Sequence, residues 1–210
     1  MARDLYRAIH KAMRKDLFEV SAAIACADLT NADGLAALRG RFAGLLASME
    51  HHAHMEDHDV HPLAREVAPE TVDAVTAEHH VLDRELAELE TELGALSEVP
   101  HGDVWSRGQA FYLRFNRYVA SYLLHIDREE RELMPALATI DAERLDALAR
   151  ADYEGPVEML VGAMGNMMPL FNADDRRQIL RDIEASRTAE EYAQIAAAAR
   201  ASIGPTSERS

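Results

Sequence analysis

Apolar residues recur along most of this chain at intervals of three and four, the spacing of an amphipathic helix, and show none of the alternation at two that marks a half-buried strand. The pattern predicts an all-α fold. Proline and glycine are sparse and sit where the periodic runs stop. A first helix is predicted from about Asp4 to Cys26, followed by the polar turn Asp28 to Gly34, and a second helix from about Asp33 to His61. Pro62 and Pro69 bracket a loop, with Pro69 placed to open a third helix that persists to about Gly94. Ser97 to Gly102 makes the next turn, and Asp103 caps a fourth helix that stops near Pro135. Four long helices with short connections predict an up-down-up-down four-helix bundle over residues 1–135. A C-terminal helical extension follows over 136–203, with helices at Ala142 to Ala151, Val157 to Met168, Ala173 to Ser186 and Ala189 to Ile203. Asn172 is a cap for the third of these and Thr188 with Glu191 a capping box for the fourth, while residues 204–210 read as a flexible tail.

The face each long helix turns to the core can be traced from the same periodicity. It passes through Tyr6, Ile9 or His10, Met13, Leu17, Val20 and Ile24 in the first helix, and through Leu38, Phe42, Leu45, Met49, His52 and Glu56 in the second. In the third it runs Val72, Val75, His79, Leu82, Leu86, Leu89, Leu93, and in the fourth Phe111, Phe115, Tyr118, Tyr122, His125, Glu129. Each stripe therefore carries a histidine, and two add a glutamate one turn later.

An ionised glutamate buried without a counter-charge costs several kcal/mol, on the order of 3–5 when a pair is broken. Two inward-facing glutamates demand cations, and no lysine or arginine shares their stripes. A histidine and a glutamate at i and i+4 reach the same ion or two adjacent ions. Imidazole and carboxylate suit iron, manganese or zinc, and the absence of sulfur ligands argues against copper(I) or an iron–sulfur centre. The set also has a two-fold character: His10, His52 and Glu56 come from the first two helices, and His79, His125 and Glu129 from the next two. Two ions bridged by carboxylates fit that supply better than one ion with six ligands.

The segments His52-x-x-x-Glu56-Asp57-x-x-x-x-Pro62 and His125-x-x-x-Glu129-Glu130-x-x-x-x-Pro135, with His10 and His79, resemble the signature of hemerythrin-like (HHE cation-binding) domains over roughly residues 4 to 135. The resemblance implies a four-helix bundle holding two non-haem iron ions, bridged by the two glutamates and an oxo or hydroxo group. It implies His10, His52, Glu56, His79, His125 and Glu129 as the metal ligands. The chain departs from the oxygen-carrying hemerythrins, which add a fifth histidine on the third helix and use an aspartate in the fourth. Here Asp83 stands one turn after His79. That leaves a coordination position for water, substrate or a side chain, with Asp83, Tyr6, Tyr118 and Tyr122 as candidates for it or for hydrogen bonds to the ligands.

Other histidines are expected at the surface: His80 beside charged neighbours, His54, His58 and His61 on the outer face of the second helix, and His51 and His101 without partners at ligand spacing. A net charge of −15 repels phosphate backbones and anionic lipid surfaces, which excludes nucleic acid and membrane as expected partners. The single cysteine, Cys26, rules out an internal disulfide and is expected to be a small buried residue. The charged start and the lack of a long apolar run point to a cytoplasmic protein. Leu160, Met164, Met167, Leu170, Phe171, Ile179, Leu180 and Ile183 need burial against the bundle or another subunit, so a homodimer through the C-terminal helices is one expectation. Three functions are open: a di-iron protein that senses or handles oxygen, related small molecules or iron; an enzyme decomposing hydrogen peroxide or nitric oxide; and a structural metalloprotein.

Overall fold

A computed structural model describes residues 5–151 and 153–203 of the chain. Among these residues the fold is all-helical, with no strand. The expected helix start at Asp4 and the tail 204–210 lie outside the described residues. Helix α1 covers Arg7–Cys26, α2 Ala32–Met55, α3 His61–Ala64, α4 Pro69–Ala95 and α5 Val104–Arg128. Helix α6 covers Met134–Leu137, α7 Ala142–Ala151, α8 Val157–Met167, α9 Ala173–Ser186 and α10 Ala189–Ser202. No helix among the described residues is long and apolar enough to cross a membrane.

Local chemistry accounts for the helix starts. The Asn31 side chain accepts from the Asp33 amide to open α2, and Asn172 accepts from the amides of Asp174 and Asp175 to open α9. Thr188 and Glu191 form a full capping box on α10. Pro69 stands in the first turn of α4, where its missing N–H costs nothing. Asp103 occupies the cap position of α5 without a side-chain cap bond. Gly34 is required for the turn before it, because a Cβ there would lie 2.7 Å from the Asp28 carbonyl oxygen.

Contacts divide the chain into two compact units, Met13–Leu137 and Met1–Ala12 with Ala138–Ser210, so the division falls inside α1. In Met13–Leu137, α4 packs against α2 and α5. The stripes traced from the sequence are the core: every residue named above on α2, α4 and α5 is buried, as are Met13, Leu17, Val20 and Ile24. Phe42 meets Phe111 and Phe115 with ring centroids 6.3 and 5.9 Å apart. Around that core, Arg14 makes a two-pronged ion pair with Glu130 at 2.8 and 3.2 Å, and Ser21 donates to Asn116 at 2.8 Å.

Two features of this unit depart from the sequence reading. Both helices that carry a histidine–glutamate pair continue past their prolines instead of stopping there. Each first widens into a π-helical turn, at Glu56–Val60 and at Glu129–Leu133, before α3 and α6. The amide just before each proline, of His61 or Met134, donates to the carbonyl of the glutamate five residues back. A proline within an α-helix lacks the N–H for the carbonyl four residues back and its ring collides with it; the extra residue in the turn relieves that collision. One added residue also rotates everything downstream by about 100° relative to a regular helix. His61, expected on the solvated outer face, is consequently buried at 3% exposure, and that expectation is corrected. Cys26, expected to be buried, is exposed: it lies two residues past buried Ile24, on the far side of the last turn of α1.

In the other unit, Leu160, Met164, Met168, Phe171, Ile179, Ile183, Ile195 and Ala199 form one apolar core, with Ala8 and partly buried Met167, Leu170 and Leu180 against it. The apolar residues of the C-terminal helices thus bury one another. The Asp175 carboxylate, 3% exposed, pairs with Arg7 at 2.7 Å and with Lys11, tying the first turns of α1 to α9.

Candidate metal centre

Each of the core stripes on α2, α4 and α5 includes polar residues that are buried. His52 and Glu56 end α2 and begin the first π turn, His79 lies mid-way along α4, and His125 and Glu129 end α5 and begin the second π turn. His10 is fully buried on α1 one turn before Met13, its ring 5.2 Å from that of Tyr6.

Glu56, His79, His125 and Glu129 each offer one ligand atom within 4.8 Å of the others, and all four are buried. His52, Glu56 and Glu129 satisfy the same limit, so the two carboxylates are common to both groups. The two halves repeat one contact: His52 Nε2 lies 3.2 Å from Glu56 Oε1, and His125 Nε2 lies 3.2 Å from Glu129 Oε1. His79 Nε2 faces both acids, 3.2 Å from Glu56 and 3.6 Å from Glu129.

The outer nitrogens of two of these imidazoles are held by acids to which the sequence assigned no role. His79 Nδ1 contacts Asp57 at 3.1 Å, and His125 Nδ1 contacts Glu78 at 3.0 Å. Glu78 is itself paired with Arg128 at 2.9 Å. An acid on the outer nitrogen places a proton there and leaves the inner nitrogen's lone pair for a cation, the arrangement seen around metal-bound histidine. Asp57 belongs to the quoted segment His52-x-x-x-Glu56-Asp57, which gave it no role, and Glu78 is marked only by standing next to the stripe residue His79.

Burial works against charge on His79, but the nearby carboxylates of Glu129 and Glu56 outweigh it and raise its pKa to about 11. His125 is raised as well: burial lowers it and Glu129 overrides. The centre thus draws a positive charge to the place where the donor set would hold a cation. His61 moves the opposite way, with burial lowering its pKa. Burial pushes both Tyr118 and Tyr122 upward and keeps these phenols neutral. Their rings follow one another along α5 from His125, with Tyr122 5.8 Å from His125 and Tyr118 6.0 Å from Tyr122.

Of the further residues considered, Tyr6, Tyr118 and Tyr122 are buried, whereas Asp83 is exposed and belongs to none of the candidate metal groups among the described residues. It points outward because it follows Leu82, which occupies the stripe position itself. His51, His54, His58, His80 and His101 are exposed. Buried nitrogen and oxygen donors without sulfur, two of them carboxylates common to both groups, fit a hard or borderline divalent or trivalent cation.

Residues 1–137 match the family described as hemerythrin HHE cation binding domain. No curated protein and no solved structure gives a match.

Proposed function

The chain belongs to the hemerythrin HHE cation-binding domain family, and from that premise we propose that it is a non-haem di-iron protein that senses or handles oxygen, related small molecules or iron. In this reading the long helices run up-down-up-down, and His10, His52, Glu56, His79, His125 and Glu129 are the ligands. The observation that supports it is the sharing of Glu56 and Glu129 between two buried donor groups, since a carboxylate common to two groups would serve both ions of a pair. When bound, an iron pair supplies Lewis acidity and one-electron redox change to a small molecule.

The chain's own residues supply the rest. Asp57 and Glu78 keep the imidazoles of His79 and His125 oriented, and Glu56 and Glu129 neutralise metal charge in a site closed to bulk water. Neutral Tyr118 and Tyr122, with Phe115 beyond them at 6.1 Å, give one wall of the centre an aromatic lining suited to a small uncharged molecule. Elemental analysis of protein loaded with iron tests the reading directly. Two ions per chain are expected, and a plateau at one or none refutes it.

One observation favours an enzyme that decomposes hydrogen peroxide or nitric oxide over a carrier. Asp83, at the position where the oxygen-carrying hemerythrins place a histidine, is exposed, so no side chain from that position completes the donor set. Steady-state consumption of peroxide or nitric oxide by the iron-loaded chain separates this reading from sensing and from a purely structural role.

A further inference from the structure

Resting on the metal-binding reading above, we propose that His61 is a positioning residue for the metal centre: it holds Asp57 against Nδ1 of His79 and thereby aims the inner nitrogen of that imidazole at Glu56 and Glu129. His61 Nδ1 lies 2.9 Å from the same Asp57 oxygen, Oδ1, that His79 Nδ1 approaches at 3.1 Å. An ionised carboxylate only accepts hydrogen bonds: His79 Nδ1 makes one to it, and in the proposed arrangement the His61 proton is on Nδ1, beside the same oxygen. Thr76, one turn before His79 on α4, adds a third contact, its hydroxyl 3.3 Å from His61 Nδ1. The rings of His61 and His79 are nearly parallel at 15°, with centroids 5.5 Å apart, so His61 also walls in the imidazole it helps to orient.

The need for such a donor follows from exposure. The Asp57 side chain is 37% exposed while that of His61 is 4% exposed. A carboxylate at the edge of the core can turn toward water, and a buried N–H on its inner side is what keeps it on His79. The other half of the bundle meets the same need differently. There Glu78 holds His125 and is fixed by Arg128, and the residue in the place of His61 is Met134. A chain of histidine, acid and donor exists in both halves, but only the first uses a second histidine as the donor. Without the π turn His61 would face outward and Asp57 would lose this partner.

The test is anaerobic titration of the metal-free full-length chain with cobalt(II), following visible absorption, stoichiometry and stepwise affinity. His61→Leu fills the space without a donor, and His61→Asn restores an N–H near the Nδ1 position. His61→Leu is expected to bind one of two ions about 10–100-fold more weakly with an altered spectrum, the usual cost of losing an orienting partner. His61→Asn should recover most of that loss, and adding His61→Leu to Asp57→Asn should weaken binding no further than Asp57→Asn alone. Unchanged affinity and spectrum in His61→Leu, or losses that simply add in the double variant, overturn the proposal while leaving the di-metal reading intact. Wild-type protein that binds no cobalt defeats that reading instead. A third ion per chain, lost in His61→Leu, would make Asp57, His61 and His79 a separate cation site and also overturn the positioning role. Should His61→Leu not fold by circular dichroism, His61→Gln takes its place, its amide reaching the Nε2 position instead; equal affinity of the Gln and Asn variants then counts against the proposal.

Discussion

In the unit built around α8, α9 and α10, the buried carboxylate of Asp175 meets Arg7 and Lys11, whereas in the bundle unit Glu56 and Glu129 meet the imidazoles of His52, His79 and His125. Both arrangements answer the cost of taking a carboxylate out of water. Arginine and lysine bring a permanent positive charge, so the Asp175 cluster is complete as a piece of protein. Imidazoles bring charge only by taking up a proton, as His79 does, and that proton occupies a nitrogen a cation can claim. The contrast separates a structural ion cluster from a centre built to exchange one positive charge for another.

The sharpest way to break the comparison is Glu129→Ala. Because this acid belongs to both donor groups, the variant is expected to lose all bound metal in elemental analysis. Wild-type protein should gain about 4 kcal/mol of stability when free metal exceeds its Kd about a thousandfold, and Glu129→Ala should gain none. Thermal melts with and without metal measure both. A variant that still gains stability from metal would remove Glu129 from the ligand set.

Asp175→Ala should behave in the opposite manner. Loss of its charged hydrogen bonds is expected to cost about 1.5–3 kcal/mol, equally in metal-free and metal-loaded protein. Burial acts to raise the pKa of Asp175, but the Lys11 hydrogen bond and the charges of Arg7 and Lys11 win and hold it below the ordinary 3.8. With the folded value depressed, its contribution is present above pH 3.8 and disappears as the pH falls through the folded value. Acid unfolding followed by circular dichroism should therefore be less steep in Asp175→Asn, and identical profiles would show that the pair carries no net stability.

Within the bundle, Glu78→Gln removes the carboxylate from His125 and is expected to weaken metal binding about tenfold, the low end for loss of such a partner. Competition with a chelator of known affinity reads this directly, and an unchanged affinity would mean that His125 is held by packing alone. The smallest effect is expected at the exposed pair His54 and His58, whose rings stack 5.7 Å apart. Alanine at either should leave metal content unchanged and shift stability by less than about 0.5 kcal/mol. Loss of metal from these variants, with retention in Glu129→Ala, would invert the ligand assignment.

Much of the molecule was legible in one dimension. The stripe from Leu38 to Glu56, that from Val72 to Leu93 and that from Phe111 to Glu129 are all buried as the periodicity predicts, because a regular helix repeats every 3.6 residues and burial follows its face. The caps at Asn172 and Thr188 were readable for a related reason: a capping side chain acts on amides two or three residues away. His61, Asp57 and Glu78 were not readable in this way. The burial of His61 depends on a widened turn that breaks the wheel's constant step. The pairing of Asp57 with His79 and of Glu78 with His125 depends on where separate helices meet.

By itself, then, the sequence determined the helices, the face each one buries and the histidines and glutamates set on that face, since these are consequences of spacing within one element. Tertiary structure decided that Arg7 and Lys11 close on Asp175, that two π turns carry the chain past Pro62 and Pro135, and that Asp57 and Glu78 stand behind the imidazoles. Each of those depends on the distance between groups remote in the chain or on one extra residue in a turn, and neither quantity is encoded in the local period of apolar positions.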